Sequence, residues 1–513
     1  MSVLDPTQSD AEIAVRARRH LESVLAIESA SDEDSHSSPS TEGQAQLARF
    51  VGEHFAALGA TVEQDQFANV IATFPGRGVG AHAEPLALMV HLDTARGTSP
   101  CEVLELAPEW SGEALAWPEN PRIRVDVATY PTLAAFVGQD VLHGGGSAPV
   151  GLDDKLGLTH MMTLAWLLAT NPGIDHPPLL LIGRPDEEIG RMEALVGLAA
   201  LLAERGVRTG YTVDGIEPFE VNVENFNAAG ASILFPRRAV TGDSSHHAIR
   251  LIGVNTHGAT AHAEGHRSAT RLASEVLERL QGEGVEVVGF RSDQARDCDA
   301  IVVFAVPADR VGRLGQACGE AVAAHRLRGA GWSSEPLPSG FVPDAAAGDM
   351  LRFVARFLSS EPGHTLLAED SWGRDGYSHP YRAFPVEQGV QLDIRIRDFS
   401  TEGLSARIAH IRDLAGAAAS FTHQYVNMGP RLTDRPELVS WAKDAADTQQ
   451  RQAQVLPIRG GTGIDPFLDA GVAVGNLGTG YFAPESEKEL TSLQMLVGHA
   501  RWLLSLVQIA ARA

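Results

Sequence analysis

Apolar positions in the first 215 residues follow two alternating rhythms. Residues 11–27 repeat at helical spacing, and Thr41 with Gln44 predicts a capping box for a helix that runs to about residue 58 and closes at Gly59. Short apolar runs follow at 70–74 and 86–91, the second almost wholly apolar, as in a strand covered on both faces. Residues 96–151 are irregular, with many Pro and Gly. Beyond them 154–170 reads as a helix, 179–183 as a second buried strand, 192–204 as a helix and 211–213 as a third strand. Strands alternating with helices predict a mainly parallel α/β sheet with helices on both faces.

The pattern changes near residue 221. Residues 231–235, 249–254 and 300–306 read as strands, 267–280, 311–324 and 349–358 as helices, and 390–397 as a half-buried strand with alternating apolar positions. The α/β rhythm resumes near 431. The expected organisation is a catalytic α/β domain split into 1–220 and 429–513, interrupted by an inserted α+β lid domain at 221–428.

Composition narrows the class. A chain of 513 residues with 44% hydrophobic content is long enough for two or three cored domains. Lys plus Arg number 41 against 65 Asp plus Glu, a formal charge of −24, which argues against nucleic acid or an anionic membrane as partner and favours small substrates or metal cations. Three scattered cysteines, Cys101, Cys298 and Cys318, suit a reducing compartment rather than a disulfide framework. The N-terminal stretch has no apolar core of signal-peptide type and no run is long enough to span a bilayer, so a cytoplasmic location is expected.

Four segments that carry chemistry each follow an apolar strand, where open α/β sheets bind ligands. In His91-Leu92-Asp93, residues i and i+2 point the same way, so the imidazole can hold a metal while the carboxylate orients it. Asp153 and Asp154 are adjacent carboxylates that repel unless a cation or proton intervenes. Asp186, Glu187 and Glu188 form an acidic turn, and Asp214 ends the third strand. Singly, each has a structural explanation: an accidental HxD, a helix cap, a solvated acidic loop. Together they predict a two-metal centre, since amide hydrolysis needs a Lewis acid, an activated water and a base.

The collinear motifs PSTEGQ (39–44), HLDT (91–94), GLDDK (151–155), PDEEIG (185–190), YTVDG (211–215), VENFNAA (223–229), IRDF (396–399), QYVNM (424–428) and PIRGGT (457–462) resemble those of the peptidase T family, tripeptide aminopeptidases of the co-catalytic zinc aminopeptidase/acylase/carboxypeptidase superfamily. The resemblance implies that Asp153 bridges two divalent ions, that His91 and Asp214 complete one site, that Glu188 binds the other ion, that Glu187 is the general base and acid, and that Asp93 buttresses His91. It further implies that His257 steadies the oxyanion and that Arg397 and Arg459 lie at the substrate end, where a guanidinium can grip a terminal carboxylate. Zn²⁺ is the implied metal, a short peptide the implied substrate, and a homodimer through the inserted domain the implied assembly.

The sequence departs from this family at three places. Where the family has its last metal-binding His, this chain has Glu485, which would make the second site Asp153, Glu188 and Glu485. An all-carboxylate set is harder and should tolerate Mn²⁺, Co²⁺ or Mg²⁺ better than Zn²⁺. The segment GGTGIDP (460–466) shifts an acid to Asp465, and the strand and helix at 300–324 enlarge the inserted domain as in Xaa-His dipeptidases. The expected activity is hydrolysis of the N-terminal peptide bond of tripeptides or other short peptides through a metal-activated water. The alternatives are a dipeptidase or N-acyl amino acid amidohydrolase of the same superfamily, and a catalytically degenerate metal- or peptide-binding homologue.

Overall fold

The computed structural model describes residues 3–240, 244–254, 267–293, 296–325, 329–360 and 376–513. The chain divides into two compact units, one made of residues up to 121, 125–225 and 428–513, the other of 122–124 and 226–427.

The first unit is built on an eight-stranded sheet in the order Thr61–Gln64, Val70–Phe74, Leu179–Arg184, Leu86–His91, Thr209–Gly215, Ala473–Gly478, Glu220–Asn222, Gln454–Val455. The four central strands pair in parallel, while Val70–Phe74 joins Leu179–Arg184, and Glu220–Asn222 joins Ala473–Gly478, antiparallel. The mainly parallel sheet expected from the sequence is therefore present, with antiparallel neighbours outside its centre. Every residue of Leu86–His91, Leu179–Arg184 and Ala473–Gly478 is buried, which is why the first two read as nearly continuous apolar runs.

Helices Asp10–Leu25, Leu152–Thr170, Glu193–Glu204 and Leu493–Ala510 supply apolar side chains to the same core as the central strands. Helix Leu152–Thr170 comes so close to Thr209–Gly215 that a Cβ on Gly157 would lie 1.9 Å from the carbonyl oxygen of Val213, so only glycine fits there. Among the described residues, no helix is long and apolar enough to cross a membrane.

One local expectation fails. Glu42–Ala57 is a helix with Thr41 at its N-cap, but no capping box forms. The Thr41 hydroxyl donates to the Ala30 carbonyl at 2.9 Å, and the Gln44 amide donates to Asp186 at 2.7 Å. The backbone N–H of Asp186, 142 positions away, takes the Gln44 oxygen that the local pattern gave to the helix start.

The second unit contains two four-stranded antiparallel sheets. One runs Glu286–Ser292, Ala300–Val306, Ser245–Ile252, Gly331–Glu335, the other Tyr377–Val386, Gly389–Asp398, Asn227–Pro236, Ala419–Tyr425. Helices Ala269–Arg279, Val311–Ala323, Ala346–Ser359 and Thr401–Ala415 share one apolar core with both sheets. The strand and helix that enlarge this region, Ala300–Val306 and Val311–Ala323, contribute Val302, Phe304, Leu314 and Cys318 to that core.

Candidate metal centre

His91, Arg184 and Asp214 stand at the carboxyl ends of three adjacent parallel strands, with His91 and Arg184 directly opposite in the register. The sheet thus delivers one imidazole and the turns bearing the acids to a common rim.

The imidazole is fixed from behind. His91 is 1% exposed, and its Nδ1 lies 2.8 Å from the backbone carbonyl of Asp93. A carbonyl only accepts, so Nδ1 carries the hydrogen and, in the neutral ring, Nε2 presents a lone pair. That lone pair faces Asp153 Oδ1 at 3.0 Å and Asp214 Oδ1 at 3.4 Å. Acceptors facing acceptors require a cation or a proton between them.

The Asp93 carboxylate, fully buried, accepts the backbone N–H of Glu187 with one oxygen and of Glu188 with the other, both at 3.0 Å. It therefore ties the acidic turn to the histidine strand. Asp186 anchors the turn from its other side. It accepts from the Ser40 backbone and hydroxyl and from Gln44, while its own N–H donates to Gln44 at 3.0 Å. The PSTEGQ segment is thus a clamp on the PDEEIG turn.

Two overlapping groups of side chains bring ligand atoms within 4.8 Å of one another: His91, Asp154 and Asp214, and His91, Asp153 and Glu188. Asp154, 2% exposed, also accepts the His91 backbone N–H at 3.2 Å. Glu188 Oε1 is buried and has no hydrogen-bond partner. Tyr481 donates its hydroxyl to Asp153 Oδ2 at 2.9 Å.

The electrostatics follow from this crowding. Burial, then the charge of Asp214, pushes Asp154 well above the usual carboxylate range. Burial, then Glu485 and Asp153, does the same to Glu188. Burial raises Glu187 to about 7, against the opposing pull of His91. For His91 burial acts downward, but Asp214 and Asp153 outweigh it and the ring is raised well above its ordinary value. A site whose crowding drives carboxylates towards protonation and a buried imidazole towards charge lacks positive charge, which a divalent ion would supply.

The remaining sequence candidates are placed as follows. Glu485 lies close enough to Glu188 to act on it electrically, though in neither ligand group. Arg397, in the second unit, donates to the carbonyls of Ala229 and Ile396 and lies over the Tyr425 ring. Arg459 is half-buried after strand Gln454–Val455. His257 lies outside the described residues.

Sequence reading did not single out Tyr481, Glu489 or Arg184. Arg184 is fully buried, and its Nη2 donates to the Thr462 carbonyl at 2.6 Å. Only its place at the end of an apolar run could have pointed to it.

No protein-family model matches the chain. Peptidase T of Bacillus cereus (strain Q1) is 32% identical over 259 residues, which take in 50% of this chain and 58% of that relative. The match thus spans little more than half of the relative's length. Among solved structures, a tripeptidase from Staphylococcus aureus subsp. aureus mu50 aligns over 98% of this chain and 99% of its own, with a TM-score of 0.52 and 16% identity. An aminoacylhistidine dipeptidase from Vibrio alginolyticus aligns over 98% of both chains with a TM-score of 0.50 and 15% identity. These two share the fold.

Proposed function

We propose, from the likeness to peptidase T over half of the chain and from the fold, that this protein is a metal-dependent exopeptidase that hydrolyses the N-terminal peptide bond of tripeptides or other short peptides. The observation that carries the reading is the lone pair of His91 Nε2 set against the carboxylate oxygens of Asp153 and Asp214. The donor set fits two divalent ions: imidazole nitrogen and carboxylate oxygens on one side, and on the other the unpartnered oxygen of Glu188. Asp153 is assigned as the shared ligand, His91 and Asp214 to one ion, and Glu188 and Glu485 to the other. Zn²⁺ is the assigned metal, with Mn²⁺ or Co²⁺ favoured at the all-carboxylate position.

Held by these residues, two divalent ions would supply Lewis-acid polarisation of the scissile carbonyl and would lower the pKa of water. The protein's own groups do the rest. Glu187 takes the proton from water and returns it to the leaving amine, for which a carboxyl near 7 is suited at neutral pH. Asp93 fixes the backbone of Glu187 and Glu188 and the ring of His91 together, so base and ligands share one rigid mount.

The test is metal uptake joined to turnover, using purified apo-protein with Zn²⁺, Co²⁺ or Mn²⁺ and di- and tripeptides with free and blocked N-termini. The expected result is turnover that needs two ions per chain and a free α-amino group, and that falls roughly 10²- to 10⁴-fold in Glu187→Gln. Absence of turnover with every metal sinks the proposal and leaves a metal- or peptide-binding homologue. A dipeptidase is the second reading, supported by the enlarged second unit (Ala300–Val306 and Val311–Ala323). Faster cleavage of dipeptides than of tripeptides selects it.

A further inference from the structure

Glu489 is buried, 2% exposed, and has no part in the chemistry above. Its carboxylate is shared between two distant stretches of chain. One oxygen accepts three successive backbone N–H groups, from Val150 at 2.9 Å, Gly151 at 2.8 Å and Leu152 at 3.3 Å. The other accepts the N–H of Glu485 at 3.1 Å. The first stretch leads directly into Asp153, and the second carries Glu485.

The three N–H groups lie at and just ahead of the start of helix Leu152–Thr170, whose first turn leaves helical geometry at Asp153 and Asp154. A carboxylate suits that end of a helix. A Ser or Asp cap at position 151 would reach N–H groups two or three residues further on, not these three. What a local cap cannot do is set the distance from this helix start to the loop that holds Glu485, and a single remote carboxylate bonded to both does so. Tyr481, 3% exposed, adds a second tie from the same stretch, with its hydroxyl on Asp153 Oδ2 at 2.9 Å.

We propose that Glu489 is a positioning residue whose carboxylate sets the separation of Asp153 and Glu485, two residues that would hold one divalent ion. The assignment rests on the two-metal reading above. It concerns the ion bound by Asp153, Glu188 and Glu485 more than the one bound by His91 and Asp214, because Glu489 touches both sides of the former. Glu489→Gln keeps the shape of the side chain but offers only one acceptor. Whichever loop faces its NH2 group meets donor against donor.

The experiment is calorimetric titration of the apo full chain with Mn²⁺, for the wild type, Glu489→Gln and Glu489→Ala, beside the melting temperature of each apo-protein. The wild type should take up two ions in separable steps. In Glu489→Gln the weaker step should lose roughly 10- to 100-fold in affinity, the range for partners that orient metal ligands, while the stronger step changes less. Glu489→Ala should abolish the weaker step. Wild-type affinities in the Gln variant, or a lowered apo melting temperature with unchanged Mn²⁺ affinity per folded chain, overturn the assignment and leave the two-metal reading standing. Fewer than two ions on the wild type overturn both.

Discussion

The two units bury carboxylates in different ways. Among the described residues of the second unit, the buried Asp299 and Asp393 and the half-buried Asp398 each have a guanidinium beside them. Asp299 has Arg250 at 3.4 Å and Arg296 at 3.5 Å, Asp393 has Arg382 at 3.1 Å, and Asp398 has Arg407 at 2.9 Å. In the first unit Asp153, Asp154, Glu187, Glu188 and Asp214 gather round one imidazole, and Arg184 acts on Glu187 and Asp214 only through its field. Burial is common to both sets, so burial alone says nothing about function. What separates them is whether the chain supplies the balancing charge. Where it does, the acid is part of the scaffold. Where it does not, the deficit points to a cation from outside.

The comparison can be broken by removing charge on each side. Arg407→Met leaves the half-buried Asp398 beside an uncharged neighbour and should cost about 2 kcal/mol of stability, somewhat less than a fully buried pair. Glu188→Gln, in a metal-free chain, removes a charge that burial, Glu485 and Asp153 all oppose, and should raise stability by about 1 kcal/mol. Urea denaturation with a chelator present reads both. Equal signs for the two variants would mean that the first unit supplies its own counter-charge after all.

A smaller effect sharpens the same contrast inside the centre. If Glu485 is the ligand that makes one position all-carboxylate, Glu485→His should shift its preference from Mn²⁺ towards Zn²⁺ by about tenfold, since imidazole is the softer donor. Competition between the two metals measures the ratio. An unchanged ratio would remove Glu485 from the ligand set.

How much of this is legible in the sequence depends on how local the cause is. The strands that deliver His91 and the PDEEIG turn are continuous apolar runs, so both the mainly parallel sheet and the strand-end placement of the acids can be read directly. Strand Tyr377–Val386 carries Pro380, Arg382 and Pro385, and Ala419–Tyr425 is largely polar and exposed, so neither shows the pattern of a covered strand. At the centre, side chains whose partners lie far along the chain are the illegible ones. Glu489 bonds to N–H groups about 338 positions away and Tyr481 to a carboxylate 328 away. Spacing rules do not reach that far. The failed capping box at Thr41 has the same origin, because the side-chain oxygen of Gln44 is committed to the backbone N–H of the distant Asp186.

Glu220 shows a third way to bury an acid. It is 5% exposed and accepts the N–H groups of Ile216 at 2.7 Å and Glu217 at 3.0 Å and the Asn222 amide at 3.1 Å. Burial nevertheless outweighs these donors and raises it to about 7 from an ordinary 4.5. With no arginine bonded to it and no place in either ligand group, it is balanced by its own proton. Between pH 4.5 and 7 the folded chain holds that proton and the unfolded chain has lost it. The stabilisation is therefore complete below the unfolded value and fades as pH rises through the window, by roughly 1 kcal/mol per pH unit. Glu220→Gln mimics the protonated side chain at every pH, so its stability relative to the wild type should grow from pH 5 to pH 7. Subtracting one protein from the other cancels the titration of the metal centre, whose acids are common to both. A difference that stays flat between pH 5 and pH 7 would mean that Glu220 is buried as a carboxylate, stabilised by its three donors, and belongs with the paired acids of the second unit.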